Sequence, residues 1–318
     1  MKIGKISEKF FLCGENSPEI LRSVGFFDSG IGGLNVVNAC RRMGLKENLL
    51  YLGDNARAPY GERSEEEILK FSFEAFDVFE KYKVKAAVVA CNTVTAVALS
   101  KLQKSYPFPV FGTTPPVLEA AKVGGEAFVL VTPATARSEA LKYTCARARE
   151  ETGSNVSVFA LDGLAGAIET SLTRSPSEKT LERFLSYLPK GNPQAVVLGC
   201  THYSYIKTAV ESFYRCPVFD SSEYSARAFL SRFDHKSENS RPFLTTFKNV
   251  DPKHSLLTPF VHDRDRGEIR TDANVRSSCF SKNPDFSPQK GGFSSIFFLG
   301  SGKMVNKSVY EQMFAIQK

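Results

Sequence analysis

Eight short apolar runs, separated by longer amphipathic stretches, constrain this chain more than any other feature. They are Val24-Gly-Phe-Phe, Leu49-Leu-Tyr-Leu, Ala86-Ala-Val-Val, Pro109-Val-Phe, Ala127-Phe-Val-Leu-Val, Val156-Ser-Val-Phe, Ala195-Val-Val-Leu and Pro217-Val-Phe. None alternates apolar with polar residues, which is the pattern of strands covered on both faces in a parallel sheet. The stretches between them read as helices. The clearest starts at Ser64-Glu-Glu-Glu, where Glu67 completes a capping box and Ile68, Phe71, Ala75, Phe79 and Tyr82 follow at helical spacing. Strands alternating with helices predict an α/β fold.

The runs also repeat. Lys85-Ala-Ala-Val-Val-Ala-Cys91-Asn-Thr recurs as Gln194-Ala-Val-Val-Leu-Gly-Cys200-Thr-His, each an apolar strand ending in cysteine before a helix. Upstream, Val24-Gly-Phe-Phe-Asp28-Ser-Gly recurs loosely as Phe128-Val-Leu-Val-Thr132-Pro-Ala. The intervals are similar, 63 residues from Asp28 to Cys91 and 68 from Thr132 to Cys200. Two pseudo-symmetric α/β domains with mainly parallel sheets, facing one another across a central cleft, account for this. The competing reading is that any two βα units look alike. The expected division is an N-terminal extension at 1–23, a first domain from 24–114 plus 222–318, and a second at 115–221. Residues 235–295 are rich in Ser, Asn, Asp, Lys and Pro and read as a polar, largely mobile insertion in the first domain. Order is expected to resume at Ile296-Phe-Phe-Leu and in the helical pattern Val309-Tyr-x-x-Met-Phe.

Composition narrows the class. With 42% apolar and 24% charged residues the chain has an ordinary globular balance, and no run approaches 18 uninterrupted apolar residues. The apolar stretch from Phe10 to Cys13 is too short for a signal-peptide core, so a cytoplasmic location and no membrane association are expected. Seven cysteines with no CxxC pair fit reduced thiols better than a disulfide framework. Net charge is +7, concentrated after residue 230, where fourteen Lys/Arg face nine Asp/Glu. That bias is only weak evidence for a nucleic-acid partner.

Three segments carry the chemistry. Asp28-Ser-Gly-Ile-Gly-Gly33 joins a strand to a helix, yet the third glycine of a dinucleotide fingerprint would fall at position 35, which is Asn, and the Lys-Ser/Thr of a P-loop is missing. It offers backbone N–H groups to a small anion, or it is a plain βα turn. Gly53-Asp-Asn-Ala-Arg57-Ala-Pro-Tyr60-Gly61 is a turn-rich loop, either a connector or a segment that closes Tyr60 and the Gly61 backbone over a substrate. The two cysteines come third. A lone cysteine at a strand end is most often a buried structural residue. Two of them, each between a strand end and a helix start, lie where α/β sheets bind ligands, and a helix N-terminus favours a thiolate. Asn92, Thr93, Thr201 and His202 stand beside them. Zinc is not supported: three of the four histidines lie in the polar tail. A cysteine hydrolase using Cys200 and His202 leaves Cys91 unexplained. Proton transfer on the two faces of one carbon uses both thiols. Glu169 in Gly166-Ala-Ile-Glu reads as a solvated helix residue unless the fold turns it inward.

Five motifs in order bring a family into view: Phe27-Asp-Ser-Gly-Ile-Gly-Gly-Leu34, Gly53-Asp-Asn-Ala-Arg-Ala-Pro-Tyr-Gly61, Ala90-Cys-Asn-Thr93, Thr132-Pro-Ala-Thr-x-x-Ser138 and Leu198-Gly-Cys-Thr-His-Tyr203. From about Val24 to Ser231 the chain resembles the cofactor-independent glutamate racemases of the aspartate/glutamate racemase superfamily. The resemblance implies an isomerase that interconverts L- and D-glutamate for peptidoglycan synthesis, usually as a homodimer and without cofactor or metal. It implies catalytic thiols at Cys91, acting on D-glutamate, and Cys200, acting on L-glutamate, assisted by Asp28 and His202 respectively, with Glu169 as a further assisting acid. Asp28, Ser29, Tyr60, Gly61, Asn92, Thr93, Thr201 and His202 match substrate contacts, with Thr132 and Thr135 as further candidates. The chain departs from the family pattern at Phe159-Ala-Leu-Asp162-Gly, which lacks the usual Cys-Pro before Glu169. It departs again at Ser204, where proline is usual. The competing functions are a racemase of another amino acid such as aspartate and, from a different class, a DNA gyrase-binding regulator. Nucleic-acid or gyrase binding is not expected as the main role.

Overall fold

A computed structural model describes residues 10–12, 22–172, 178–233 and 296–301. In chain order the elements are β1 (Phe10–Leu12), β2 (Val24–Asp28), α1 (Leu34–Arg42), β3 (Leu49–Gly53), α2 (Glu65–Lys81), β4 (Ala86–Val89), α3 (Asn92–Ser105) and β5 (Val110–Gly112). There follow α4 (Val117–Ala121), β6 (Glu126–Val131), α5 (Pro133–Arg137), α6 (Glu139–Thr152), β7 (Asn155–Ala160), α7 (Leu164–Leu172) and α8 (Glu178–Leu185). The rest are β8 (Ala195–Leu198), α9 (Lys207–Tyr214), β9 (Val218–Asp220), α10 (Ser221–Leu230) and β10 (Ile296–Ser301). Short 3₁₀ turns occupy Tyr60–Glu62 and Tyr203–Ile206.

All eight apolar runs are strands, and they form two sheets. The first has the order β1-β10-β3-β2-β4-β5 and the second β7-β6-β8-β9. Within the repeat the strand order is the same: β3-β2-β4-β5 in one sheet is matched by β7-β6-β8-β9 in the other. Every pair is parallel except β1 with β10. In each sheet the direction of winding reverses between the first and third strands of the repeat, β2 beside β4 and β6 beside β8. The crevice beyond the carboxyl ends of strands at such a reversal is where open α/β sheets hold ligands. Asp28 and Cys91 lie there in the first sheet, and Thr132 and Cys200 in the second.

Helices pack on both faces of each sheet. Along β2, Phe27 points to a core shared with α2 and α3, while Val24 and Phe26 point to one shared with α1 and α10. In the second sheet Phe128 and Leu130 pack toward α8 and α9, and Ala127, Val129 and Val131 toward α4 and α6. The chain therefore leaves the second sheet at β9 and lays α10 against the first. α2 begins as its sequence dictates: the Ser64 side chain accepts from Glu67 N at 3.2 Å, and the Glu67 carboxylate accepts from Ser64 N at 3.1 Å.

One expectation needs correction. β7 is not buried along its length: it is an edge strand in which Val156 is buried while Val158 and Ala160 on the same face are exposed. Within the N-terminal extension, Phe10–Leu12 adds an antiparallel edge strand to β10. The insertion at 235–295 and the pattern at 309–314 lie outside the described residues. Among the described residues no helix is long and apolar enough to cross a membrane.

The first core is tied by rings around Phe76, which is fully buried and meets Phe27, Phe79, Tyr106 and Phe108. Phe76→Ala leaves a cavity that distant residues cannot refill. It should lower the unfolding free energy by about 3–5 kcal/mol in urea titrations. A loss under about 1 kcal/mol would show that this core can collapse around the gap.

Candidate functional site

The site grows from the loop after β2. Asp28 ends the strand fully buried, and its Oδ1 accepts Gly30 N–H at 2.8 Å. The Gly30 carbonyl accepts the Tyr51 hydroxyl at 2.7 Å, and the Ile31 carbonyl that of Tyr205 at 3.3 Å. This loop is pressed against the other half of the molecule. A Cβ on Gly30 would lie 2.5 Å from Glu169 Oε2; one on Gly32 would lie 2.5 Å from Thr201 Oγ1 and 2.6 Å from His202 Nδ1. The two glycines are there because protein, not a nucleotide, approaches so closely. The expected anion cradle is also altered, since the Gly30 amide serves Asp28 and the Ile31 amide donates to Glu169 Oε2 at 3.2 Å.

Cys91 caps α3 at the end of β4, with its sulfur 3.8 Å from Ser29 Oγ. Across from it, the turn after β8 carries Cys200, Thr201 and His202. Thr201 Oγ1 donates to Asp28 Oδ2 at 3.2 Å, and its carbonyl accepts the Asn35 side-chain amide at 2.9 Å. His202 Nδ1 lies 3.9 Å from the Cys200 sulfur, and its Nε2 is hydrogen-bonded to Glu169 Oε2. Glu169 is thus turned inward from α7 rather than solvated. Its other oxygen accepts the Asn55 side-chain amide at 3.0 Å.

A second wall is built from hydroxyls. Thr93 Oγ1 and Thr132 Oγ1 are 2.9 Å apart, Thr132 and Thr135 3.0 Å, and all three are buried. Gly61 packs on Thr132, where a Cβ would sit 2.6 Å from the threonine Cβ. Tyr60 is buried beside it, but its hydroxyl donates to Asp54 rather than standing free. Arg57 holds that loop with its Nε 2.5 Å from Asp54 and a terminal nitrogen 2.6 Å from Glu74, its guanidinium lying over the Phe71 ring. Asn92 is pinned by Thr113 O at 3.4 Å and by the Ser221 hydroxyl at 3.1 Å. Ser204 donates to Asp220 at 2.8 Å at the start of α10. Among the described residues no group of His, Cys, Asp and Glu is arranged to hold a metal ion.

The ionisable groups around the two thiols differ. Burial, the Asp28 carboxylate and the nearby Cys200 sulfur push the Cys91 thiol well above the ordinary range, against the Val94 amide and Ser29. The helix start was expected to favour the thiolate here; burial and Asp28 outweigh it. Burial likewise raises the Asp28 carboxyl, although His202 and the Gly30 amide oppose the shift. For His202 burial disfavours the cation, but hydrogen bonds to Cys200 and Glu169 outweigh it and hold the imidazolium well above its usual range. Cys200 is not a helix cap: the Tyr203–Ile206 turn separates it from α9.

Sequence reasoning missed Asn35, Asn55, Tyr51 and Tyr205. Asn35 is the residue that breaks the dinucleotide fingerprint, and here it bridges the Gly32 and Thr201 carbonyls. Asn55 lies within a motif already singled out.

A family model described as Asp/Glu/Hydantoin racemase matches residues 34–229. A protein from Aquifex pyrophilus named glutamate racemase is 35% identical over 255 residues, covering 76% of this chain and 94% of its own. The fold is similar to that of a glutamate racemase from Francisella tularensis solved with D-glutamate. That match has a TM-score of 0.55 at 31% identity, over 67% of this chain and 80% of that one. It is also similar to the Escherichia coli glutamate racemase solved with L-glutamate and the activator UDP-MurNAc-ala. There the TM-score is 0.58 at 30% identity, over 66% and 82% of the two chains.

Gly32→Ala forces a methyl group into Thr201 and His202, so the turn bearing Cys200 must move. Such overpacking should cost about 1–3 kcal/mol of stability and change the iodoacetamide reactivity of Cys200, read by peptide mass spectrometry. Unchanged stability and reactivity would show that the turn yields freely. His202 makes a second test. Its folded pKa is raised, so its contribution to stability is complete below about pH 6.5 and is lost as pH rises through the higher folded value. The stability advantage of wild type over His202→Asn in urea titrations should therefore shrink from about pH 6 upward. An advantage that grows with pH would mean that the buried imidazole is neutral.

Proposed function

The chain belongs to the Asp/Glu/Hydantoin racemase family, and on that premise we propose that it interconverts L- and D-glutamate by moving the Cα proton between Cys91 and Cys200. The observation that carries this reading is the meeting of two cysteine-ended strands, one from each sheet, around Asp28 and Thr201. Glutamate, rather than another amino acid, is supported by the relatives named glutamate racemase at about 35% identity.

The Cα–H of an amino acid is a very weak acid, so the site has to supply a base, an acid on the opposite face, and relief for carbanion charge. With L-glutamate, the Cys200 thiolate takes the Cα proton and becomes a thiol. The electron pair left on Cα then takes a proton from the Cys91 thiol on the other face, leaving a Cys91 thiolate. D-glutamate runs the same steps in reverse. Each L-to-D turnover moves one proton from Cys91 to Cys200, and the thiols re-equilibrate before the same enantiomer reacts again. The protonated resting state favoured at Cys91 suits a donor. His202, held by Glu169, relays protons at Cys200, and Asp28 serves the Cys91 side.

Ser29, Asn92, Thr93, Thr132, Thr135 and Thr201, with the backbone at Tyr60 and Gly61, bind the substrate carboxylates and ammonium. Donors fixed in a buried site stabilise developing charge without reorganising. No cofactor takes part in this scheme. The proposal extends to a cytoplasmic homodimer that supplies D-glutamate for peptidoglycan.

Cys91→Ser and Cys200→Ser should each lower the racemisation rate of L-glutamate by about 10²–10⁴, followed by the circular dichroism of the amino acid. L-aspartate should turn over far more slowly than L-glutamate with wild type. Near-normal turnover in either serine variant would sink the two-thiol scheme, and faster turnover of aspartate would change the substrate.

A further inference from the structure

Glu169 is useful to His202 only while its carboxylate stays in one orientation. Oε2 meets His202 Nε2 and accepts the Ile31 amide, and Oε1 accepts the Asn55 side chain at 3.0 Å. The carboxylate reaches across from α7, while both Ile31 and Asn55 belong to loops of the first sheet. Asn55 follows directly on Asp54, which Arg57 and Tyr60 hold, so its backbone is fixed at the point where its side chain meets Glu169. The Glu169 side chain is only 13% exposed, which leaves water little room to replace a lost donor.

We propose that Asn55 is a positioning residue for proton transfer at Cys200, acting through Glu169 and His202. With both oxygens engaged, the carboxylate cannot rotate about its last bond, and His202 keeps Nε2 on Glu169 and Nδ1 toward Cys200. The charged or titratable groups facing this imidazole are Glu169 from α7, Cys200 from its own turn and Asp28 from the end of β2. On the Cys91 side the carboxylate is Asp28, held by Gly30 and Thr201 instead. Asn55 therefore tunes one of the two proton transfers and leaves the other alone. This inference rests on the racemase reading above.

That asymmetry gives a test which a purely structural role would not pass. The two enantiomers are isoenergetic, so any variant lowers kcat/KM equally for both; the isotope effects need not move together. In Asn55→Ala the Cys200 step slows, and kcat/KM should fall roughly tenfold. The deuterium isotope effect on kcat/KM should rise with Cα-deuterated L-glutamate, whose proton Cys200 removes, and fall with Cα-deuterated D-glutamate. Asn55→Asp keeps the size but sets a second carboxylate against Glu169, so its shifts should go further in the same directions. It also provides the readout if the alanine variant does not fold. Isotope effects equal to wild type, or shifted the same way for both enantiomers, would overturn the role of Asn55 alone. Wild-type protein that fails to racemise glutamate would overturn the underlying reading with it.

Discussion

The contact on which the rest depends is the absence of side chains at Gly30 and Gly32. Because nothing projects there, Glu169, Thr201 and His202 from the second half come within van der Waals distance of the first half's loop. Four cross-links of the site follow from that approach: Ile31 to Glu169, Asn35 to Thr201, Thr201 to Asp28 and Tyr205 to Ile31. One added methyl group would intrude on this whole set. The close-packed interior leaves no slack to absorb it.

The same approach makes two similar half-sites unlike. The duplicated strand order gives each half a cysteine at the same topological position. What surrounds each thiol is contributed largely by the opposite half or by neighbouring loops, and there the repeat ends. Cys91 is enclosed with a carboxyl group nearby, which favours its protonated form. Cys200 faces an imidazole whose protonated form is favoured by its own carboxylate partner. Two residues of one type are thus set apart by their surroundings alone.

Much of the fold was legible because strand burial is a local property of the sequence. The runs at Val24, Leu49, Ala86 and Ala195 are uniformly apolar because helices cover both faces of their strands. Val156-Ser-Val-Phe reads the same way but lies at the edge of its sheet, and edge position depends on which strands arrive beside it. The three residues of β1 carry too little pattern to announce a strand; their partner lies nearly three hundred residues away. At the site, cysteines at strand ends and paired glycines are visible locally. The inward turn of Glu169, the bridge from Asn35 and the amide of Asn55 arise only when the halves meet. Cys91 shows the limit most clearly, since the helix start that its sequence displays is overruled by burial and by a carboxylate 63 residues away.

The central claim is that two different thiols handle the substrate proton. Proton NMR of L-glutamate with the protein in D2O, read in the earliest part of the reaction, tests it most directly. The account predicts that D-glutamate carries solvent deuterium at Cα from its first appearance, while the remaining L-glutamate still holds protium. D-glutamate that retains the substrate's proton, or L-glutamate that exchanges faster than it inverts, would point to a single base and contradict the account.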